Sequence, residues 1–340
     1  VEGDRLIERL LAAGHKPGDD LPDWPGFLLM SGDQIYADDV SGPLLKAIHD
    51  VSARLGLHRE SFAGTGHEQL RDSDALTADP NCYYNRQELL PKVEGTLRLQ
   101  EILFGGVRKP VFTSDTSENH LISLAEHLVM YLMVWSPLPW EMVSGDMPDG
   151  LSPAQQADYQ RLARILSDFT GGLDRIQRLL AHLPTAMVFD DHDISDDWNL
   201  NREWEQAVYG NSFSRRMVGN GLIAYFIAQG WGNAPESFAG PLLENCVKVL
   251  KQPGQVDHDP LIEQLLRFNH WSYQWPSEPP LIVLDTRTHR WRSESAAHKP
   301  SGLLDWEALT DLQQHLKGHE AVILVSPAPI FGVKLIEVIQ

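Results

Sequence analysis

Leu28-Leu29-Met30-Ser31-Gly32-Asp33-Gln34-Ile35-Tyr36-Ala37-Asp38-Asp39 changes character at its middle. A short apolar run stops at Gly32, and three carboxylates and a tyrosine follow within seven residues. The run is continuous, from Phe27 to Met30, rather than alternating. That pattern suits a strand covered on both faces. Three further runs have the same form: residues 186–189, 281–284 and 321–325. Between them lie patterns of helical period. They span residues 6–13; 44–55, ending at Gly56; and 153–169, with Pro153 at the first position. Others span 173–183, stopped by Pro184; 214–229, closing at Gly230; and 304–316, closing at Gly318. Strands alternating with helices predict an α/β layered domain. Residues 40–182 contain no clear strand and read as a mostly helical insertion or cap over one end of the sheet, too long for a simple crossover.

The 340 residues have room for one large domain or two ordinary ones and are 42% hydrophobic, a composition that folds. Acidic residues outnumber basic ones 47 to 28, giving a net charge of −19, which argues against non-specific nucleic-acid binding through phosphate neutralisation. The same acidity suits hard cations held by carboxylates. Cys82 and Cys246 make neither a disulfide framework nor a zinc set. The most apolar stretch, 127–135, is too short to cross a bilayer and reads as a buried helix end.

In open α/β sheets ligands bind where strands end at their carboxyl side. The first run is followed by Gly32, Asp33 and Tyr36. The second is followed by Asp190, Asp191, His192 and Asp193, then by Asp196 to Asn199. The third is followed by Asp285, Thr286, Arg287 and, further on, Arg290. A single aspartate there is ordinary capping. Three converging ends would repel one another unless a cation neutralised them, so a metal centre is expected. Asp33, just past a glycine, can bridge two metals about 4 Å apart. Tyr36 can offer a phenolate to Fe³⁺, or simply cover the next helix as a half-buried aromatic. His192 among carboxylates can act as a general acid, or sit satisfied at a helix start. Arg287 can grip a phosphoryl group in a bidentate fashion, or brace the strand end by pairing with an aspartate. Ser117 to His120 reads as a helix start that can present His120 to a cleft, with Ser117 as its cap. Asp38 and Asp39 read as starting the following helix. No nucleophile elbow and no phosphate-binding glycine loop is present.

These blocks together resemble the alkaline phosphatase D (PhoD-like) branch of the calcineurin-like metallophosphoesterases. Residues 32–38 look like its G-D-x-x-Y-x-[DE] block. Residues 189–199 are similar to its W-D-D-H-[DE] block, and 284–290 to its L-D-x-R-x-x-R block. Residues 325–331 resemble the strand and loop after it. The resemblance implies a four-layer α/β/β/α sandwich holding a dinuclear or multinuclear centre of Fe and Ca, or other divalent metals. It implies hydrolysis of phosphomonoesters or phosphodiesters by in-line attack of a metal-activated hydroxide. Asp33 would bridge the metals, Tyr36 would bind the ferric ion and Asp191 would be a further ligand. His192 would be the acid–base group oriented by Asp193, and Arg287 would contact phosphate. Asp190, Asp285 and His120 are further candidates.

The family's early metal-binding strand and its late G-D-V-H-like block have no counterpart here. The reading is therefore one PhoD-like domain over 1–340, truncated at both ends, with weak or absent activity on its own. The expected partner is a small phosphate ester. The alternative is a non-catalytic module that binds phosphorylated ligands or protein on the same fold.

Overall fold

The structure is a computed structural model describing residues 2–16, 24–57, 59–67, 69–91, 112, 119–252 and 257–329. The first apolar run forms β1, Leu28–Met30, which pairs in parallel with β2, Thr185–Met187. Leu29 stands opposite Ala186. The third and fourth runs form β4, Leu281–Val283, and β5, Ile323–Val325, also parallel. On the other edge of β4 lies β3, Tyr273–Trp275, antiparallel to it. β3 is no continuous apolar run, because exposed Gln274 interrupts its aromatic pair.

Coverage on both faces holds for β4, where all three residues are buried. It does not hold for β5, whose Ile323 is 43% exposed at the sheet edge, nor for β1, which is only half-buried throughout. The two sheets share one apolar cluster. Ala186 and Val188 meet Tyr273, Leu281 and Val283 in it, with Phe27 stacked on Trp275 at 5.8 Å. Two small sheets and many helices make a mixed α/β fold.

The helices follow their capping signals. α1 is Glu2–Ala12 and α2 is Gly42–Leu55. Gly56 takes the left-handed conformation at φ 71° and its amide closes the end of α2. α3 is Ser73–Ala78. α4, Leu124–Trp135, begins with a capping box in which Ser123 and Glu126 satisfy each other's backbone. α5, Pro153–Thr170, has the same device in Ser152 and Gln155. α6 is Leu173–His182. After β2 come α7, Arg202–Tyr209, and α8, Ser212–Tyr225. α9, Pro241–Lys251, α10, Asp259–Leu266, and α11, Trp306–Leu316, complete the set. Within 40–182 the described residues are mostly helical. Helices α2 and α4 bury Leu45, Ile48, Val129 and Met133 against Ile35, Ala37 and Val40, so they rest on the segment that leaves β1.

The helix expected over 214–229 differs in an instructive way. It leaves α-geometry after Tyr225, makes a π-turn over Phe226–Gly230, and then one further turn, Trp231–Asn233. Gly230 is no terminator. A Cβ there would stand 3.0 Å from the Trp271 ring and 3.1 Å from that of Phe238, so the glycine permits close packing. The π-turn aims Gln229 at Asp193, and Asn233 just after it at β2. The Asn233 side chain bonds both N–H and C=O of Met187, each at 3.0 Å, and Tyr273 donates to the same carbonyl. These contacts fill the side of β2 that faces away from β1.

A buried ionic cluster ties the helical part together. Arg86, with no exposed surface, reaches Glu126 at 2.6 Å, and His49 on α2 reaches the same carboxylate at 2.7 Å. Arg86 also donates to the carbonyls of Cys82 and His120. A second cluster joins Glu60, Arg216, Asn220 and His258. Among the described residues no helix is long and apolar enough to cross a membrane.

Candidate metal centre

The segments leaving β1 and β2 are bonded to each other. Gly32 has φ 125°, and a Cβ there would lie 3.1 Å from Asp190 Oδ2, so only glycine lets the chain pass. Asp33 follows at φ 47°, left-handed, an uncommon conformation for a residue with a side chain and one that recurs at functional sites. The amides of Gln34 and Ile35 then donate to Asp193 Oδ1, at 3.1 and 3.3 Å. The Ala37 amide donates to the His192 carbonyl at 2.8 Å, and the Ala37 carbonyl accepts from Leu121 at 2.7 Å. On the β2 side, Asp190 caps a short 3-10 turn, Asp191–Asp193.

This stitching gathers ligand atoms. One oxygen of Asp33, one of Asp191 and a ring nitrogen of His192 lie within 4.8 Å of one another. Asp191, Asp196 and Asp197 form a second such triple. Asp191 belongs to both. Asp33 Oδ1 is buried with no hydrogen-bond partner, while Oδ2 accepts from the Tyr36 hydroxyl at 3.4 Å. Burial and the neighbouring Asp190 push the Asp33 carboxyl up to about 6. Burial raises Asp191 too, against the pull of Arg287. A carboxylate with one orphaned oxygen, grouped with a second carboxylate and an imidazole, is a donor set that fits a cation.

Of the expected ligands, Asp33 and Asp191 come together. Tyr36 lies beside them, 46% exposed, its ring 4.6 Å from that of His192. Its phenol is raised, chiefly by the Asp33 charge. His192 is placed as expected, but its orienting carboxylate is not. Asp193 has no exposed surface and spends its oxygens on Gln34, Ile35, Tyr131, Gln229 and Asp190. Burial pushes it up to about 7. The carboxylate that holds His192 is Asp38, whose oxygens lie 2.8 and 3.0 Å from Nδ1. Burial works against the imidazolium, but the Asp38 hydrogen bond and charge outweigh it and raise His192 to about 9.

Two other expectations, for Asp285 and His120, are corrected, and Arg287 takes the second of its two expected roles. Asp285 does not join the cluster; it closes its own turn, accepting from the amides of Arg287 and Thr288 and from the Thr288 hydroxyl. His120 does not face a cleft; it precedes α4, which starts at Leu124. It is 1% exposed and its Nδ1 lies 2.6 Å from the Leu121 carbonyl. Ser117 and Glu118 lie outside the described residues, as do residues 330 and 331 of the last matching block. Arg287 is 8% exposed and braces the site, with Asp190 at 2.5 Å and Asp191 at 3.0 Å. Asp190 is thereby its partner.

Sequence reasoning gave Asp196 and Asp197 no individual role and read Asp38 only as the start of a helix. Asp38 carried one usable signal: it sits between Ala37 and Val40, both core residues, and a carboxylate in apolar surroundings needs a partner. Arg290 is a further addition. It is half-buried, donates to the carbonyls of Thr286 and Asn199 at 3.0 and 3.4 Å, and pairs with no carboxylate among the described residues.

Compared with protein-family models, curated proteins and solved structures, the chain finds no match in any of the three.

Proposed function

We propose that this chain carries the catalytic centre of a metal-dependent phosphoesterase. The observation that carries the reading is the gathering of Asp33, Asp191 and His192 beyond the ends of two parallel strands, with one Asp33 oxygen buried and satisfied by no protein group. Asp33, Asp191 and His192 offer mixed oxygen and nitrogen donors, suited to iron or another transition metal. Asp191, Asp196 and Asp197 offer oxygen alone, suited to Ca²⁺. In a two-metal arrangement Asp191, common to both triples, would be the bridging ligand in place of Asp33. Bound cations would supply Lewis-acid activation of the phosphoryl group and of water. The chain's own residues position them: Arg287 fixes Asp190 and Asp191, and Asp193 locks the two loops in register. With Arg287 engaged, Arg290 is the better-placed phosphate contact. The four-layer sandwich and the PhoD-like assignment belong to the same proposal.

The test is binding before turnover. The chain should take up Mn²⁺, Fe or Ca²⁺ stoichiometrically by calorimetry, and Asp33→Asn should weaken uptake at least tenfold with its circular dichroism unchanged. Hydrolysis of p-nitrophenyl phosphate or its bis-ester should then require the cation and fall in the same variant. Uptake unchanged by Asp33→Asn sinks the site. The engagement of Arg287 by two carboxylates favours, as a second reading, a module that binds without turnover. Stoichiometric uptake with no hydrolysis would select that one.

A further inference from the structure

The expected role of His192 is proton transfer to a leaving group. Its surroundings fit another. Nδ1 faces Asp38, a carboxylate with no exposed surface. That bond turns Nε2 the other way, toward the acidic cluster. No group among the described residues hydrogen-bonds Nε2; its closest carboxylate oxygen, on Asp196, is 3.8 Å away. The oxygens of Asp33 and Asp191 stand within 4.8 Å of the ring's ligand atom. Those separations are too long for hydrogen bonds. The 3.8 Å to Asp196 matches two donors of one coordination shell, which stand about 3 to 4 Å apart when each is about 2.1 Å from the ion, and the wider spacing to Asp33 and Asp191 would have to close around it. A carboxylate behind one imidazole nitrogen, with the other turned to a set of oxygen donors, is the arrangement that fixes a metal-binding histidine. The Tyr36 ring at 4.6 Å limits rotation of the imidazole.

We propose that His192 is a metal ligand through Nε2, completing a shell with Asp33 and Asp191, and that Asp38 is the positioning residue that fixes its ring and tautomer. The inference rests on the cation-binding reading of the site and specifies, within it, which nitrogen of His192 binds and which carboxylate fixes the ring, in place of the acid–base role expected from the sequence. A proton donor for the leaving group would then have to be another group.

Co²⁺ is the probe, added alone to the whole 340-residue chain. In the wild type, proton NMR should show a strongly shifted, solvent-exchangeable resonance from the Nδ1–H of a Co²⁺-bound imidazole. His192→Ala should remove that resonance and weaken Co²⁺ binding at least tenfold by calorimetry. His192→Gln, closer in bulk, is the second variant should the alanine form fold poorly. Asp38→Asn should weaken binding about 10- to 100-fold and move the resonance, and Asp38→Glu should restore part of both. If His192→Ala and His192→Gln bind Co²⁺ like the wild type and keep the resonance, the assignment is overturned while the site stands. If the wild type binds Co²⁺ no better than Asp33→Asn, the site and the assignment fall together.

Discussion

Glu126→Gln isolates the charge of the buried cluster from its geometry. Glu126 is 1% exposed. It accepts from Arg86 at 2.6 and 3.3 Å and from the amides of Ile122 and Ser123 at 2.7 and 3.0 Å, and meets His49 Nε2 at 2.7 Å. Glutamine serves the capping box as well as glutamate does, so the start of α4 survives. What is lost is the counter-charge of a guanidinium with no exposed surface. Removing one partner of a buried ion pair costs about 3–5 kcal/mol. At roughly 2 °C per kcal/mol for a chain of this size, Tm should fall by about 6–10 °C. The pH signature is separate. Burial lowers His49, but hydrogen bonds to Cys82 and Glu126 and the Glu126 charge raise it from 6.5 to about 9. Its folded value is above its unfolded one, so its contribution is full below pH 6.5 and is lost as pH rises through 9, roughly 3 kcal/mol in all. Glu126 itself is held well below the usual carboxylate range; burial opposes this, and Arg86 and His49 overcome it. Its contribution is lost only as pH falls through that depressed value. Urea unfolding from pH 6 to 9.5, with chelator present so that metal linkage is constant, measures both. The variant should be less stable throughout and have a shallower slope between pH 6.5 and 9. Stability within about 1 kcal/mol of the wild type, with the slope unchanged, would refute the reasoning.

Three further outcomes are expected. In chelator at pH 7.5, Asp33→Asn should raise Tm. The folded Asp33 carboxyl is raised to about 6, so the native state loses stability as pH rises from the unfolded value through 6, and asparagine tolerates the left-handed backbone. Gly230→Ala should cost about 1–3 kcal/mol in urea unfolding, because its Cβ enters the space of Trp271 and Phe238. Asn233→Ala leaves the Met187 amide without its partner and should cost about 1–3 kcal/mol, with faster hydrogen exchange at Met187.

The strands and helix ends legible in the sequence were those with local causes. Continuous apolar runs marked β1, β2, β4 and β5, and Ser152-Pro153 and Gly56 marked real ends. Asp33, Asp191 and His192 were legible because they follow those runs at once, and chain topology brings parallel strand ends together. What failed depended on partners distant in the chain. Asp193 and His192 are neighbours in sequence, yet the buried carboxylate reaches back 159 residues to Gln34, and the histidine turns to Asp38, 154 residues away. Neighbours on a tight turn point in different directions, so adjacency misassigned the dyad. Asp285 behaved as an isolated aspartate after a strand usually does, closing its turn. Gly230 carried a stop signal that packing overrode.

The π-turn over Phe226–Gly230 sets the phase of everything after it. A π-turn is an α-helix with one residue to spare, and each helical residue turns the next by about 100°. Deleting a single residue there would restore regular helix and swing Asn233 away from Met187, although no ligand and no bonded side chain had been changed. This segment should therefore accept substitutions far better than length changes. The one extra residue thus sets the contact that secures β2, just before Asp190 and Asp191.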